Sequence, residues 1–178
     1  MARILIVYAS SEGQTAKIAE HIARRLREKN HRAEIVDGAR LPGTFSVDGY
    51  DAAIVGAPVR MARHPAPIIE FVKTNRAFLE RVPSAFFSVC MAAASPRPEK
   101  QREALARSEN FFGITGWQLR HSAIFSGALR YRAYNFLLRF MMRRIARSEG
   151  VNTDTSRDHE YTDWEVVTRF ADEFAGLM

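Results

Sequence analysis

Five short apolar runs punctuate this chain, and most are separated by stretches of helical length and spacing. The runs are Arg3–Ala9, Arg32–Val36, Ala52–Gly56, Ala85–Met91 and one centred on Ser122–Phe125. The first intervening helix is expected over about Gln14–Lys29, where Ile18, Ile22 and Leu26 recur every fourth residue. A second helix starts at Pro65 or Pro67 and carries Ile68, Ile69, Phe71, Val72 and Phe78, since proline favours the first helical turn. A third follows Pro98 to about Phe112. The last opens at Thr162 with the capping box Thr162-Asp163-Trp164-Glu165 and ends near Leu177. Gly38, Pro42, Gly43 and Gly49 mark a loop between the second and third runs. Apolar strands alternating with helices imply one α/β domain over residues 1–178, a doubly wound parallel sheet with right-handed crossovers. Ligands of such sheets bind outside the carboxyl ends of the strands.

Composition narrows the function classes. The chain has 178 residues, enough for a sizeable core. No apolar run approaches the ~20 residues that a membrane-spanning helix needs. The chain opens on a strand, so no signal segment is expected before it. Cys90 is the single cysteine, which excludes an internal disulfide, fits a reducing cytosol and, within an apolar run, reads as a small core filler. With one cysteine and five scattered histidines, no metal-ligand spacing is present.

The first apolar run stops in Ser10-Ser11-Glu12-Gly13-Gln14-Thr15 and passes at once into a helix. Unpaired amide N–H groups, hydroxyls and the positive end of the helix dipole meet at such a turn, and together they suit a phosphate monoester. The turn lacks the G-x-G-x-x-G pattern of a dinucleotide fold and the Gly-Lys-Ser/Thr ending of a nucleoside-triphosphate loop. What remains is a phosphate turn without a cation of its own.

Charge is concentrated elsewhere. The chain carries 26 Lys+Arg against 20 Asp+Glu, a formal +6. Residues 130–147 hold Arg130, Arg132, Arg139, Arg143, Arg144 and Arg147 with no acid, so removing those six leaves 20 of each sign. The excess is one patch, which points to one anionic partner surface. It lies in a long connection between the fifth strand and the last helix, about residues 127–160, where connections of two to six residues are usual. At 100° per residue, Leu137, Leu138, Met141, Met142 and Ile145 share one face of a helix over Tyr134–Arg147. Arg139, Arg143, Arg144 and Arg147 cluster on the other face, with Phe136 and Phe140 among them. This Arg130–Arg147 segment reads either as an extra helix packed on the domain or as one lying on an anionic membrane surface. No recognition helix or base-stacking platform supports a nucleic-acid partner.

The strand, the Ser-Ser-Glu-Gly-Gln-Thr turn, the helix and the five-strand pattern resemble the flavodoxin family. That resemblance implies the strand order 2-1-3-4-5, with helices on both faces, and FMN as cofactor. Its phosphate loop would be Ser10, Ser11, Glu12, Gly13, Gln14 and Thr15, with Glu12 contributing only its backbone N–H. Pro58, Val59 and Arg60 after the third strand, and Met91, Ala92, Ala93 and Ala94 after the fourth, would flank the flavin ring. Neither of these loops holds an aromatic residue, and Met61 stands where one is expected. His64, beside Pro65, is either an exposed histidine or a proton donor near the flavin edge.

A narrower likeness covers nearly the whole chain. Asp-Gly-Tyr-Asp (48–51), Pro-Ser-Ala-Phe-Phe-Ser-Val (83–89), Arg-Pro-Glu-Lys (97–100), Gly-Ala-Leu-Arg-Tyr (127–131), Thr-Asp-Thr (153–155) and Tyr-Thr-Asp-Trp-Glu (161–165) resemble the menaquinone-dependent protoporphyrinogen IX dehydrogenase family of bacterial haem synthesis. The resemblance implies oxidation of protoporphyrinogen IX to protoporphyrin IX, a flavin-borne reaction with menaquinone or ubiquinone as acceptor. It also implies a cytoplasmic protein held peripherally at the inner face of the cell membrane. Arg60 or Arg130 would pair with a substrate propionate, because guanidinium suits bidentate carboxylate binding. Tyr131 would stack on flavin or substrate, or pack beneath the insertion. A flavodoxin-type FMN electron carrier without a substrate of its own is the alternative, and assembly with further copies of the chain stays open.

Overall fold

The computed structural model describes residues 1–178. Five parallel strands form the sheet, β1 (Arg3–Tyr8), β2 (Arg32–Asp37), β3 (Ala52–Pro58), β4 (Ser84–Val89) and β5 (Ser122–Phe125). Their order is β2-β1-β3-β4-β5, as the flavodoxin resemblance implied. Alternate residues of each strand enter opposite cores. Ile4, Ile6 and Ile54 meet helices α1 (Gln14–Glu28) and α6 (Trp164–Ala175) on one face. Leu5, Val7 and Val55 pack on the other face, against residues of α2 (Ala66–Thr74), α3 (Arg76–Arg81) and α4 (Pro98–Thr115). The central strands are therefore apolar on both faces, as a covered parallel sheet requires. Gly56 in β3 is dictated by this packing, because a Cβ there would lie 2.1 Å from the Phe87 ring.

Two helical expectations are corrected. The helix expected from Pro65 through Phe78 is two helices that break at Asn75, whose amide side chain caps the Phe71 carbonyl. The last helix is capped by Asp163, which accepts from the Glu165 and Val166 amides, and Thr162 has another task. α4 runs three residues past Phe112 and stops at Gly116, which takes the left-handed conformation of a C-terminal cap at φ 68°.

Between β5 and α6 the chain forms a small substructure. A short antiparallel pair, β6 (Ala128–Leu129) with β7 (His159–Glu160), brackets helix α5 (Phe136–Glu149). Leu129, Tyr131, Tyr134 and Ala146 make its core, with Leu138 and Met142 packed against them.

The face of α5 that points inward differs from the expected one. Leu138, Met142 and Ala146 turn in, whereas Leu137 and Met141 turn out beside Phe136 and Phe140. Arg139 leaves the basic face and donates to the carbonyls of Tyr131 and Tyr134. Apolar residues occupy most of the circumference of this helix, so periodicity does not select the buried stripe. Anchors do. Arg139 fixes one end, and Arg97, donating to the Ser148 carbonyl, fixes the other.

Candidate functional site

At the carboxyl end of β1 the chain turns through Ser10–Gly13 into α1. The Ser10 hydroxyl accepts from the Gly13 amide at 2.9 Å, which tightens the turn. Gly13 has φ 85°, a left-handed conformation that a side chain would strain. The amides of Ser11, Glu12, Gln14, Thr15 and Ala16 donate to no acceptor, and α1 has no side-chain cap. A group of free donors at a helix N-terminus is the chemistry an oxyanion satisfies. Gln14 and Thr15 are buried, Ser10, Glu12 and Gly13 half-buried, and Ser11 exposed.

The insertion closes over this turn. The Tyr134 hydroxyl donates to the Glu12 carboxylate and accepts from the Arg130 amide at 3.2 Å. Burial, then the hydrogen bond to Glu12, pushes the Tyr134 phenol well above its ordinary range, so it stays a donor. The Arg130 guanidinium stands over Gly13, where a Cβ would meet its Nη1 at 3.3 Å and Nη2 at 3.4 Å. Thr162 accepts from Gln14 Nε2 at 2.9 Å and donates to the Ser126 carbonyl at 2.6 Å. Lys17 Nζ pairs with Glu160 at 2.5 Å, and Trp164 donates to the same carboxylate. Burial alone would raise the Glu160 carboxyl, but these two donors hold it below the usual carboxylate range. Glu12, expected to act through its amide, therefore also engages the insertion through its carboxylate.

The other two loops border the same end of the sheet. After Pro58 and Val59, both half-buried, Arg60 and Arg63 pair backbone to backbone at 2.9 Å. Met61 and Ala62 between them have φ 47° and 62°. Positive φ at both central positions is the pattern of a primed hairpin turn, which glycine or asparagine normally occupies, so this turn is strained. Met61 at its tip is 97% exposed. Met91–Ala94 form a single 3-10 turn, in which Ala92 enters the core, Met91 leans on the insertion core, and Ala93 and Ala94 are half-exposed.

Two residues stand apart from the ligand surface. Tyr131 is fully buried beneath the insertion, its ring against Tyr134, and of the two placements considered for it this is packing. His64 is 7% exposed rather than open to solvent, with Nε2 3.0 Å from the Ser88 hydroxyl and its ring against Phe86 and Phe111. Burial, reinforced by the Arg107 charge, lowers its pKa to about 4. It is a neutral core histidine. The loop ties of Tyr134, Glu160 and Thr162 carried no local signal, because each joins segments far apart in the chain.

Comparison with known proteins agrees with this geometry. The family model described as flavodoxin domain matches residues 5–156. A curated relative from Escherichia coli strain K12, named protoporphyrinogen IX dehydrogenase (quinone), is 33% identical over 98% of this chain and 96% of its own. A Leishmania major protein of the same name is 31% identical over 98% of this chain and 75% of its own. Among solved structures, oxidised flavodoxin 1 from Bacillus cereus superposes with a TM-score of 0.60 at 19% identity, covering 99% of both chains. That likeness establishes the fold. Identity sustained through the insertion goes further, and the chain belongs to the flavodoxin family, among the proteins named protoporphyrinogen IX dehydrogenase (quinone).

Proposed function

We propose that this protein is an FMN-dependent oxidoreductase that oxidises protoporphyrinogen IX to protoporphyrin IX in haem biosynthesis, with a membrane quinone, menaquinone or ubiquinone, as acceptor. The names of its relatives and its flavodoxin fold support the reaction class. One observation of the molecule itself carries the membrane part. Phe136 (86% exposed), Leu137 (75%), Phe140 (57%) and Met141 (49%) project from α5 beside the exposed Arg143, Arg144 and Arg147. Large apolar side chains ringed by arginine suit the boundary between lipid headgroups and acyl chains. No helix of the protein is long and apolar enough to cross a membrane. The protein would therefore lie on the inner face of the membrane, where quinone and an apolar porphyrinogen are both found.

Each element of the site then has a task. The free amides of the Ser11–Ala16 turn hold the FMN phosphate, and the Gly13 turn lets the backbone approach it. The 58–60 and 91–94 loops flank the ring, and their small or aliphatic side chains leave room for a flat, bulky substrate. Arg60, exposed beside the strained Met61 turn, is placed to pair with a propionate. FMN supplies the two-electron acceptor for each oxidation step and returns those electrons to the quinone.

The test is oxidation of protoporphyrinogen IX by the purified, FMN-loaded protein with a menaquinone analogue as acceptor. Turnover to protoporphyrin IX supports the reading. A flavin that binds and can be reduced but oxidises no porphyrinogen points instead to an electron carrier.

A further inference from the structure

We propose that Arg130, from the insertion, is the cationic partner of the FMN phosphate, so that cofactor loading and closure of the insertion are one event. This rests on the flavin reading above. A flavin monophosphate brings about −1.5 to −2 charges, and amide dipoles alone must otherwise balance them. The turn offers no cation of its own, and Lys17, the nearest in sequence, is paired with Glu160.

Arg130 stands where that cation is needed. Its guanidinium faces Gly13 at the centre of the turn, beside amides that donate to nothing. It forms no ion pair within 4.0 Å and donates no side-chain hydrogen bond, although it is only half-exposed. Other arginines of the insertion are engaged, Arg139 with two carbonyls and Arg157 with Asp154. A guanidinium and a ring of amides that converge on one point share one kind of acceptor, a multivalent oxyanion. Arg130 is also positioned by the turn itself, since its amide donates to Tyr134, which donates to Glu12.

The arrangement couples the site to α5. The segment that presents Arg130 continues directly into the helix with the exposed apolar and basic face. An anion that binds turn and Arg130 together holds that segment on the domain. Riboflavin, which has the ring and ribityl chain without the phosphate, cannot.

Apoprotein titrated with FMN and with riboflavin, followed by flavin fluorescence, separates the possibilities. Arg130→Ala should lower FMN affinity by about 10- to 100-fold, the worth of one charge-assisted hydrogen-bonded contact, and leave riboflavin affinity unchanged. Arg130→Lys should retain most of the FMN affinity. Hydrogen exchange across residues 128–150 should slow with FMN and not with riboflavin. An unaltered ratio of FMN to riboflavin affinity in Arg130→Ala overturns the assignment, and so does an equal loss for both ligands, which makes Arg130 merely structural. Failure of the wild-type protein to bind either flavin defeats the cofactor reading itself.

Discussion

The phenolic hydroxyl of Tyr134 donates to the carboxylate of Glu12, joining positions 122 residues apart. Glu12 occupies the turn at the end of β1, and Tyr134 sits half a turn before α5, so one hydrogen bond ties the phosphate turn to the basic insertion. Removing it leaves a half-buried carboxylate and the Arg130 amide without their partner. Tyr134→Phe is expected to destabilise the fold by about 1–3 kcal/mol, the cost of orphaning hydrogen-bonding groups away from water. Urea unfolding at neutral pH measures this. The sign with pH follows from the raised Tyr134 phenol. A phenol that ionises less readily in the folded state stabilises fully below the ordinary value of 10.0, and that contribution fades as pH rises beyond it. Stability should therefore fall above about pH 10, and less steeply in Tyr134→Phe.

The turn at Met61 and Ala62 stores strain beside the expected flavin ring. Each residue has positive φ without being glycine or asparagine, at a cost of roughly 1–2 kcal/mol per residue. Ala62→Gly removes that cost but adds backbone freedom to the unfolded chain, which offsets part of it. The net expectation is a stabilisation of up to about 1 kcal/mol, read as a higher urea midpoint. If this strain sets the loop against the flavin, the same variant should also show an altered flavin reduction potential.

Much of the fold could be read from local pattern. The apolar runs of β1, β3 and β4, and the four-residue spacing of Ile18, Ile22 and Leu26, report burial that depends on each element alone. The phosphate turn was legible for the same reason, since its donors lie within six consecutive residues. What escaped depends on distant segments. Thr162 looks like a helix cap, but Gln14 and the Ser126 carbonyl claim its hydroxyl, and Asp163 takes over the cap. His64 stands beside a proline in a loop, yet Ser88, Phe86 and Phe111 enclose it. α5 is apolar around most of its surface, so the inward stripe was decided by Arg139 and by the C-terminal anchor from Arg97.

His64 gives the protein an acid-sensitive core. Its pKa is lowered from the usual 6.5 to about 4 by burial and the Arg107 charge, so the neutral form is favoured in the folded state. A depressed pKa contributes stability that is complete above 6.5 and is lost as pH falls towards 4. The contribution is about 3 kcal/mol at neutral pH, taking 1.4 kcal/mol per unit. His64→Gln, which keeps a partner for Ser88, should be less stable than wild type at pH 7. The two should converge near pH 4, because the variant has no imidazole to protonate. Urea midpoints at pH 7, 5.5 and 4.5 test this, and parallel decline of both proteins would exclude His64 as the cause.

The outward face of α5 makes the last prediction. Its apolar and basic residues should contribute separately to membrane binding. Replacing Phe136 and Phe140 with serine removes insertion into the acyl boundary, where fully burying each such side chain is worth about 1.5–3 kcal/mol. Sedimentation with vesicles should fall by at least about tenfold on both neutral and anionic lipid. Replacing Arg143, Arg144 and Arg147 with glutamine should instead remove the preference for anionic lipid, at about 1 kcal/mol per arginine, and flatten the dependence on salt. Neither set contacts the phosphate turn, and the side chains are already exposed, so FMN affinity and thermal stability should stay at wild-type levels. Turnover with a water-soluble quinone should persist in both variants, whereas turnover with quinone embedded in vesicles should decline in step with binding. If vesicle-bound quinone were reduced at full rate by the serine variant, α5 would not be the element that holds the enzyme to lipid.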